Sequence, residues 1–330
     1  MGLKNVTIGH CDLKESLLRY LQKKPQTNTL LFSGPPGSGK SHFLKAFAQD
    51  FLCESSSAFS CGVCSSCKSF HMDNPPDLKE YNKDKGLLKI QQVRTLQQDA
   101  FLHPVYGKKK LIVLYEADAM TLEAANALLK ILEEPNHSTC FILETSKPDK
   151  ILSTIRSRSI SFRFTPYTNE EIKAILESTN QTLDPDFLHL ISALSNGNAH
   201  RAFQLQDQNF FAKRNEYCKK FILLLSEENV LPEFPKKMEK KEMLHFLIEA
   251  QSLIEDILCY SYYRPERMKN VDQEAIIHEL AEKWDPQIMI KLQNLLLSCE
   301  EVLDSSIVQY DKHMLKLIMD SKKVLFERKL

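Results

Sequence analysis

Residues 34–41, with the sequence GPPGSGKS, match the phosphate-binding pattern G-x-x-x-x-G-K-[ST]. They follow the apolar run TLLFS and open a helical pattern, which is the context that this loop requires. In such a loop backbone N–H groups surround phosphate oxygens, the lysine reaches the β and γ phosphates, and the final hydroxyl binds Mg²⁺. The sequence therefore predicts a site for ATP with Mg²⁺, and its alternative is a glycine-rich turn without a ligand. The predicted site consists of Gly34, Pro35, Pro36, Gly37, Ser38, Gly39, Lys40 and Ser41.

A second stretch, LIVLYEADAM at residues 111–120, departs from what a phosphate loop usually accompanies. Such a run normally ends in an aspartate that holds Mg²⁺ and a glutamate that orients the attacking water. Here Tyr115 stands at the aspartate position and Glu116 follows it. Because a metal ligand is missing, only Ser41, phosphates and water remain to hold the ion. We expect weak or no hydrolysis in this chain's own site, with Glu116 as a degenerate catalytic residue.

Four of the nine cysteines crowd into residues 53–67 with the spacing C-x₇-C-x₂-C-x₂-C. Two residues between cysteines allow a tight turn to direct both thiolates at one ion, and the upstream cysteine can complete a tetrahedron. Four thiolates leave no open position, so the pattern predicts a structural Zn²⁺. An iron–sulfur cluster is the alternative, although the fourth cysteine lies upstream and no Cys-Pro follows. The predicted ligands are Cys53, Cys61, Cys64 and Cys67.

The composition indicates a protein of several domains without a broad charged surface. The chain has 330 residues, and Lys plus Arg equals Asp plus Glu at 43 each. The zero net charge predicts no general attraction for DNA, so any nucleic-acid role is local or shared with partners. The N-terminus lacks an apolar signal core and no run is long enough to span a bilayer. We therefore predict a cytoplasmic location and no membrane contact.

The elements that must position these residues change character along the chain. Up to residue 165 strand-like apolar runs alternate with helical patterns, which predicts an α/β domain with a mostly parallel sheet and a zinc insert at 53–67. The predicted strands are 29–33, 110–115, 139–145 and 160–164, and the predicted helices are 39–52, 89–102 and 121–133. From residue 166 only helical patterns occur, opening with Thr168 as an N-cap. We expect a small helical lid at 166–207 and a helical collar at 208–330.

Several of these motifs occur together in one known family. The phosphate loop, the cysteine insert, EADAMTLEAANALLKILEEP at 116–135 and STIRSRSISF at 153–162 resemble the bacterial clamp-loader ATPases of the AAA+ class. Within that class the chain resembles delta-prime subunits of DNA polymerase III first and gamma/tau motor subunits second. The resemblance covers residues 8–205, and IGH at 8–10 resembles the family's adenine-side box.

The resemblance implies roles for three further residues. Arg158 lies in the family's Ser-Arg-Cys signature, which reads Ser-Arg-Ser here, and it would project into the adjacent subunit's ATP site as an arginine finger. Thr145 matches the polar sensor beside the γ phosphate, and Arg201 matches the second sensor. The alternatives are a surface arginine at 158 and capping or surface roles for the two sensors. Glu133 and Glu134 oppose the dipole at a helix C-terminus, which predicts basic partners in the chain or across an interface.

The resemblance also implies membership of a hetero-oligomer that loads the sliding clamp onto primed DNA. The expected partners are the other loader subunits, gamma/tau and delta, with the clamp and primer-template DNA reached through the complex. Two other functions stay open at this point. One is a competent motor-type ATPase, and the other is a zinc-containing nucleic-acid-binding module with a vestigial phosphate loop, against which the balanced charge argues.

Overall fold

The computed structural model describes most of the chain in ten segments. They are 2–6, 8–22, 28–55, 59–84, 86–133, 138–179, 183–226, 239–264, 267–305 and 310–326. The chain divides into two compact units. The first contains Met1–Ile175 and Gly197–Ala199, and the second contains Leu176–Asn196 and His200–Leu330. The boundary predicted between a lid and a collar, at residue 207, stays a prediction.

The first unit is built on a five-stranded parallel sheet with the strand order β2-β3-β4-β1-β5. Apolar runs form four of these strands at or within one residue of their predicted bounds. The fifth, β2, has the sequence LKEY and only half-buried residues, so its periodicity gave no signal. The strands are β1 Thr29–Ser33, β2 Leu78–Tyr81, β3 Lys110–Leu114, β4 Thr139–Thr145 and β5 Ile160–Arg163.

Helices follow or precede the strands of the first unit, as an α/β pattern requires. The three predicted helices are present, and α1, α3 and the short α6 are additional. They are α1 Cys11–Gln22, α2 Lys40–Leu52, α3 Ser65–His71, α4 Ile90–Phe101, α5 Leu122–Glu133, α6 Ser153–Arg156 and α7 Asn169–Glu177. Helix α7 begins after Thr168, whose hydroxyl accepts from the Glu171 N–H while the Glu171 carboxylate accepts from the Thr168 N–H, so the predicted N-cap is confirmed.

Alternate strand residues pack into two separate cores, one on each face of the sheet. On β4, Cys140 and Ile142 join the core that contains α1 and α2, whereas Phe141 and Leu143 join the core that contains α4 and α5. This alternation is the period of two that a strand buried on both faces must show. Helices therefore cover both faces and leave the carboxyl ends of the strands as the place for a site.

Among its described residues the second unit consists of helices and short connections, without a strand. Its helices are α8 Pro185–Leu194, α9 Ala199–Leu205, α10 Gln208–Ser226, α11 Lys240–Ser261, α12 Glu274–Lys283, α13 Pro286–Ser305 and α14 Tyr310–Phe326. One continuous apolar core joins α10 to α14, and the single tryptophan, Trp284, packs in it. No helix among the described residues combines the length and apolar character that crossing a bilayer demands. The parallel sheet and the helical C-terminal region confirm the predicted fold class.

Candidate nucleotide site, metal site and interface arginine

The phosphate loop lies between β1 and the first turn of α2, as the sequence predicts. Gly37 and Gly39 have φ of 72° and 85°, a region that favours glycine. A Cβ at Gly37 would lie 1.7 Å from the Asn198 amide oxygen, and one at Gly39 would lie 2.0 Å from the Tyr167 hydroxyl. The Ala199 N–H also donates to the Gly37 carbonyl at 3.0 Å. The positive φ values and these close approaches favour glycine at both positions.

Lys40 is buried and points back along its own loop. Its ammonium donates to the carbonyls of Gly34 at 2.7 Å and Pro35 at 2.9 Å, and it lies 3.9 Å from a carboxylate oxygen of Glu144 on β4. Ser41, the predicted Mg²⁺ ligand, is exposed at the start of α2. The loop thus has the lysine, the hydroxyl and the helix N-terminus that phosphate binding needs.

Near the loop, His10 of the predicted adenine-side box is part of an aromatic group. Its Nε2 lies 2.9 Å from the Ser38 carbonyl oxygen. Its ring packs against those of Phe43, Phe164 and Tyr167, with centroids 5.5, 5.2 and 4.9 Å away. These contacts place residues 8–10 beside the phosphate loop.

Tyr115 follows β3, where the Mg²⁺-binding aspartate was missing from the sequence. Its hydroxyl donates to a Glu80 carboxylate oxygen at 2.7 Å, and its ring packs against the core on the α2 face. Burial raises the pKa of the Tyr115 phenol, and the charges of Glu80 and Glu144 raise that pKa further. The phenol therefore stays neutral and donates a hydrogen bond to Glu80. It cannot replace the anionic oxygen that Mg²⁺ prefers.

Thr145 and Glu116 lie at neighbouring strand ends. The Thr145 carbonyl accepts from the Gly34 N–H at 3.2 Å, which joins the end of β4 to the phosphate loop. The Thr145 hydroxyl donates to the Asp118 carboxylate, and it accepts from the Lys147 N–H at 2.9 Å. Glu116 is half-buried with φ of 46°, a left-handed conformation that costs energy outside glycine. Thr145 is thus adjacent to the loop, and the nucleotide roles of both residues stay predictions.

The four predicted metal ligands come together after α2. The sulfurs of Cys53, Cys61, Cys64 and Cys67 all lie within 4.8 Å of one another, and those of Cys53 and Cys64 are 4.0 Å apart. Tetrahedral Zn–S bonds of about 2.3 Å would hold sulfurs roughly 3.8 Å apart. The cluster therefore has the dimensions of a four-thiolate site.

Backbone N–H groups support the sulfurs as in a metal knuckle. Cys61 N–H donates to the Cys53 sulfur at 3.3 Å, Cys64 N–H to the Cys61 sulfur at 3.4 Å, and Cys67 N–H to the Cys64 sulfur at 3.4 Å. Donors from Val63 and Cys64 lower the pKa of the exposed Cys61 thiol to about 6, whereas burial raises the pKa of Cys67 to about 12. The donor set thus fits a metal that binds thiolates and supplies the charge that a buried Cys67 needs.

Arg158 lies just beyond α6 and is 40% exposed. One terminal nitrogen of its guanidinium lies 2.9 Å from Glu133 at the end of α5, and the other donates to the Thr154 carbonyl at 3.2 Å. The prediction of a basic partner for Glu133 is therefore confirmed within the chain, while Glu134 lies outside the described residues. The pair also relieves the unfavourable placement of a carboxylate at a helix C-terminus.

Arg201 belongs to a buried polar cluster in the second unit. One of its terminal nitrogens donates to both carboxylate oxygens of Glu249 on α11, each at 3.0 Å, and its Nε donates to the Leu194 carbonyl at 3.0 Å. Glu249 is fully buried and also lies 3.1 Å from His245 and 3.9 Å from Arg214. Arg201 thus has a structural task of joining α9 to α11, and its sensor role stays a prediction.

Sequence reasoning missed several residues that shape the nucleotide site. Glu80 on β2, Glu144 on β4, Tyr167 and Asn198 all contact the loop or Tyr115. None belongs to a recognisable motif, since each comes to the site through the packing of distant segments. A charged residue within the apolar run TCFILET was the one available signal, and it pointed to Glu144.

The sheet, the phosphate-loop motif at its carboxyl edge and the helical second unit define an α/β protein of the P-loop type. A family model described as "DNA polymerase III, delta subunit" matches residues 9–168. A second, described as "DNA polymerase III, delta subunit, C terminal", matches residues 208–314. Together the two models span most of the chain, and the chain belongs to this family of DNA polymerase III subunits.

Individual relatives agree with this assignment. The chain is 33% identical over 197 residues to DNA polymerase III subunit delta' of Bacillus subtilis, which covers 60% of this chain and 59% of that protein. It is 27% identical over 295 residues to subunit delta' of Yersinia pestis, covering 87% and 86%. Subunit gamma/tau of Mycobacterium bovis is 32% identical over 184 residues, covering 54% of this chain and 32% of that protein. The similarity to gamma/tau is therefore confined to part of each chain.

Proposed function

We propose that this protein is a delta-prime-type subunit of a DNA polymerase III clamp loader, which helps load the sliding clamp onto primed DNA. The two family models and the delta' relatives support this proposal. Its partners are the gamma/tau and delta subunits, and it reaches the clamp and primer-template DNA through the complex. This work takes place in the cytoplasm.

The observation that carries the proposal is the pairing of a complete phosphate loop with a neutral phenol at the metal position. Lys40 and Ser41 can bind ATP, but Tyr115 donates to Glu80 and supplies no charge to Mg²⁺. ATP can therefore bind, but it is hydrolysed weakly or not at all, because a water-orienting Glu116 needs a well-placed metal. The chain therefore contributes to ATP hydrolysis in the site of an adjacent subunit.

Arg158 makes this contribution as an arginine finger that acts on the adjacent subunit's ATP site. A neighbour's γ phosphate develops charge in the transition state that its own residues do not fully surround. The guanidinium of Arg158 is partly exposed, and among the described residues Glu133 and a backbone carbonyl hold it. A phosphate can replace these weak contacts, so assembly of the loader complex completes the neighbour's site and controls hydrolysis.

Zinc has a structural task in this proposal. Four converging sulfurs leave no position for water or substrate. A Zn²⁺ ion held by them would stabilise the segment between α2 and β2, because metal binding in such sites is coupled to folding.

The test is to purify the chain and measure ATP binding and turnover, alone and with the other loader subunits. We expect the isolated chain to turn over ATP at background rate and Lys40→Ala to abolish any binding. The alternative is a motor-type ATPase, which the gamma/tau similarity favours. Steady-state hydrolysis by the isolated chain that disappears in Lys40→Ala would establish that alternative and remove the one proposed here.

A further inference from the structure

A carboxylate that belongs to no motif lies beside the phosphate-binding lysine. Glu144 is on β4, next to β1, and its side chain is 14% exposed. One of its oxygens lies 3.9 Å from Lys40 Nζ, and Lys40 is only 6% exposed. A charged side chain inside an otherwise apolar central strand costs free energy unless it is paired. Lys40 provides that pairing.

The alternation of the strands places Glu144 on the side of the sheet where the nucleotide loop begins α2. Its neighbours on β4 at positions 140 and 142 pack into the α2 core, and Tyr115 packs against the same core. Side chains two residues apart share a face, so Glu144 and Tyr115 lie on one face of neighbouring strands. The charge of Glu144 also contributes to the raised pKa of Tyr115. The negative charge near Lys40 thus comes from β4, while the β3 position is neutral.

We propose that Glu144 is the counter-ion of the phosphate-binding lysine and competes with ATP for it. The proposal rests on the proposed ATP binding by this loop. To gain the attraction of Lys40, a phosphate must displace or approach the Glu144 carboxylate, which repels it. The repulsion grows with the charge of the nucleotide, so Glu144 weakens binding of ATP more than binding of ADP. The Lys40–Glu144 pair thereby stabilises the site when no nucleotide is bound and lowers its affinity for ATP.

A different task for Glu144 leads to the opposite result. If this carboxylate were a Mg²⁺ ligand together with Ser41, in place of the missing aspartate, it would strengthen binding of Mg²⁺-ATP. Its removal would then weaken binding with Mg²⁺ and change little without the ion. A counter-ion, in contrast, weakens binding under both conditions.

Calorimetric titration of the full-length chain with ATP and ADP, each with Mg²⁺ and with EDTA, separates these two tasks. We expect Glu144→Gln to bind ATP about tenfold more tightly in both conditions, with a smaller gain for ADP. Glu242→Gln is the matched control, because it removes a partly buried acid that pairs with a lysine, Lys213, in the second unit and belongs to no candidate site. The control is expected to keep the affinity of the unmodified chain. If the unmodified chain binds ATP, unchanged or weaker binding in Glu144→Gln overturns the proposal.

A second measurement does not depend on nucleotide. The free energy of unfolding is compared for the unmodified chain, Glu144→Gln, Lys40→Met and the double variant. We expect the double variant to be more stable than the two single effects predict, by about fivefold or more in the unfolding equilibrium constant. Additive effects overturn the counter-ion. Coupling in a chain that binds no ATP, even as Glu144→Gln, keeps the counter-ion and refutes ATP binding in the proposed function.

Discussion

Replacing Arg158 with Ala tests the trans-acting role most directly, because the structure predicts a small effect on stability. Its polar contacts among the described residues are the ion pair with Glu133 at 2.9 Å and a hydrogen bond to the Thr154 carbonyl at 3.2 Å. The two charged side chains are 40% and 51% exposed, and pairs in such positions contribute about 0.2–1 kcal/mol. We therefore expect the free energy of unfolding to fall by no more than about 1 kcal/mol, with zinc content and complex assembly unchanged.

The expected effect on catalysis is much larger. An arginine supplied in trans accelerates hydrolysis by roughly 10³–10⁵-fold. The ATP site that faces this chain should therefore become inactive in Arg158→Ala. The DNA- and clamp-stimulated ATPase rate of the reconstituted loader should fall by the fraction of the total rate that this site contributes. Arg158→Lys should be nearly as damaging, because lysine keeps the charge but lacks the planar fork that grips phosphate oxygens.

The chain offers a matched control two residues earlier. Arg156 is 42% exposed and pairs with an acid, Asp149, at 3.4 Å. Arg156→Ala therefore removes a similar surface charge and a similar ion pair from the same segment, and we expect it to keep the unmodified rate. The trans-acting role is refuted if Arg158→Ala hydrolyses ATP and loads clamps at the unmodified rate. It also loses its support if Arg156→Ala causes an equal loss.

Three further predictions concern the metal, the phenol and the buried cluster. Metal analysis should find about one Zn²⁺ per chain, and Cys64→Ser should lose the ion and melt at a lower temperature. The control Cys11→Ser, outside the cluster, should keep both the zinc and the melting temperature. Iron, or no metal in reduced protein, would contradict this prediction. Tyr115→Phe should lower the free energy of unfolding, measured with urea, by about 1 kcal/mol because the hydrogen bond to Glu80 is lost. ATP turnover should stay at background, and recovered hydrolysis would show that the missing carboxylate does not limit the site. Arg201→Ala should destabilise the second unit by about 3 kcal/mol, because it leaves the buried Glu249 with one cation fewer. A change below about 1 kcal/mol in chemical unfolding would show that Arg201 does not stabilise this unit through Glu249.

Local patterns predicted those parts of the molecule that depend on short sequence separations. The strand β1, the phosphate loop and α2 are continuous in sequence, and so is the cysteine cluster. Their spacing and apolar character therefore indicated both structure and ligands. The strand β2 was missed because its sequence, LKEY, is half-buried and lacks the apolar run that identified its neighbours. Sheet position, and not composition, makes this segment a strand.

The contacts that define the state of the site come from distant segments and could not be predicted. Tyr115 bonds to an acid 35 residues earlier, and Arg201 bonds to a carboxylate 48 residues later. The sequence shows that Tyr115 stands at the aspartate position. Which residue accepts the hydrogen bond from the Tyr115 hydroxyl depends on strand order and register. The same holds for Arg201, whose motif suggested a nucleotide sensor although a buried carboxylate already binds it.

These observations together explain why a chain can keep a phosphate loop without a metal-binding aspartate. The enclosed glycines and the contacts of Lys40 hold β1, α2 and β4 together, so the loop has a structural value that does not depend on turnover. With Glu144 facing Lys40, an aspartate at position 115 would bring another negative charge to a face that already carries Glu80 and Glu144. The neutral phenol avoids that repulsion and uses one of those acids as its acceptor. Tyr115 and Glu144 are therefore consistent as a pair: the first leaves the site without a Mg²⁺-binding carboxylate, and the second supplies the charge that Lys40 requires when no phosphate is bound.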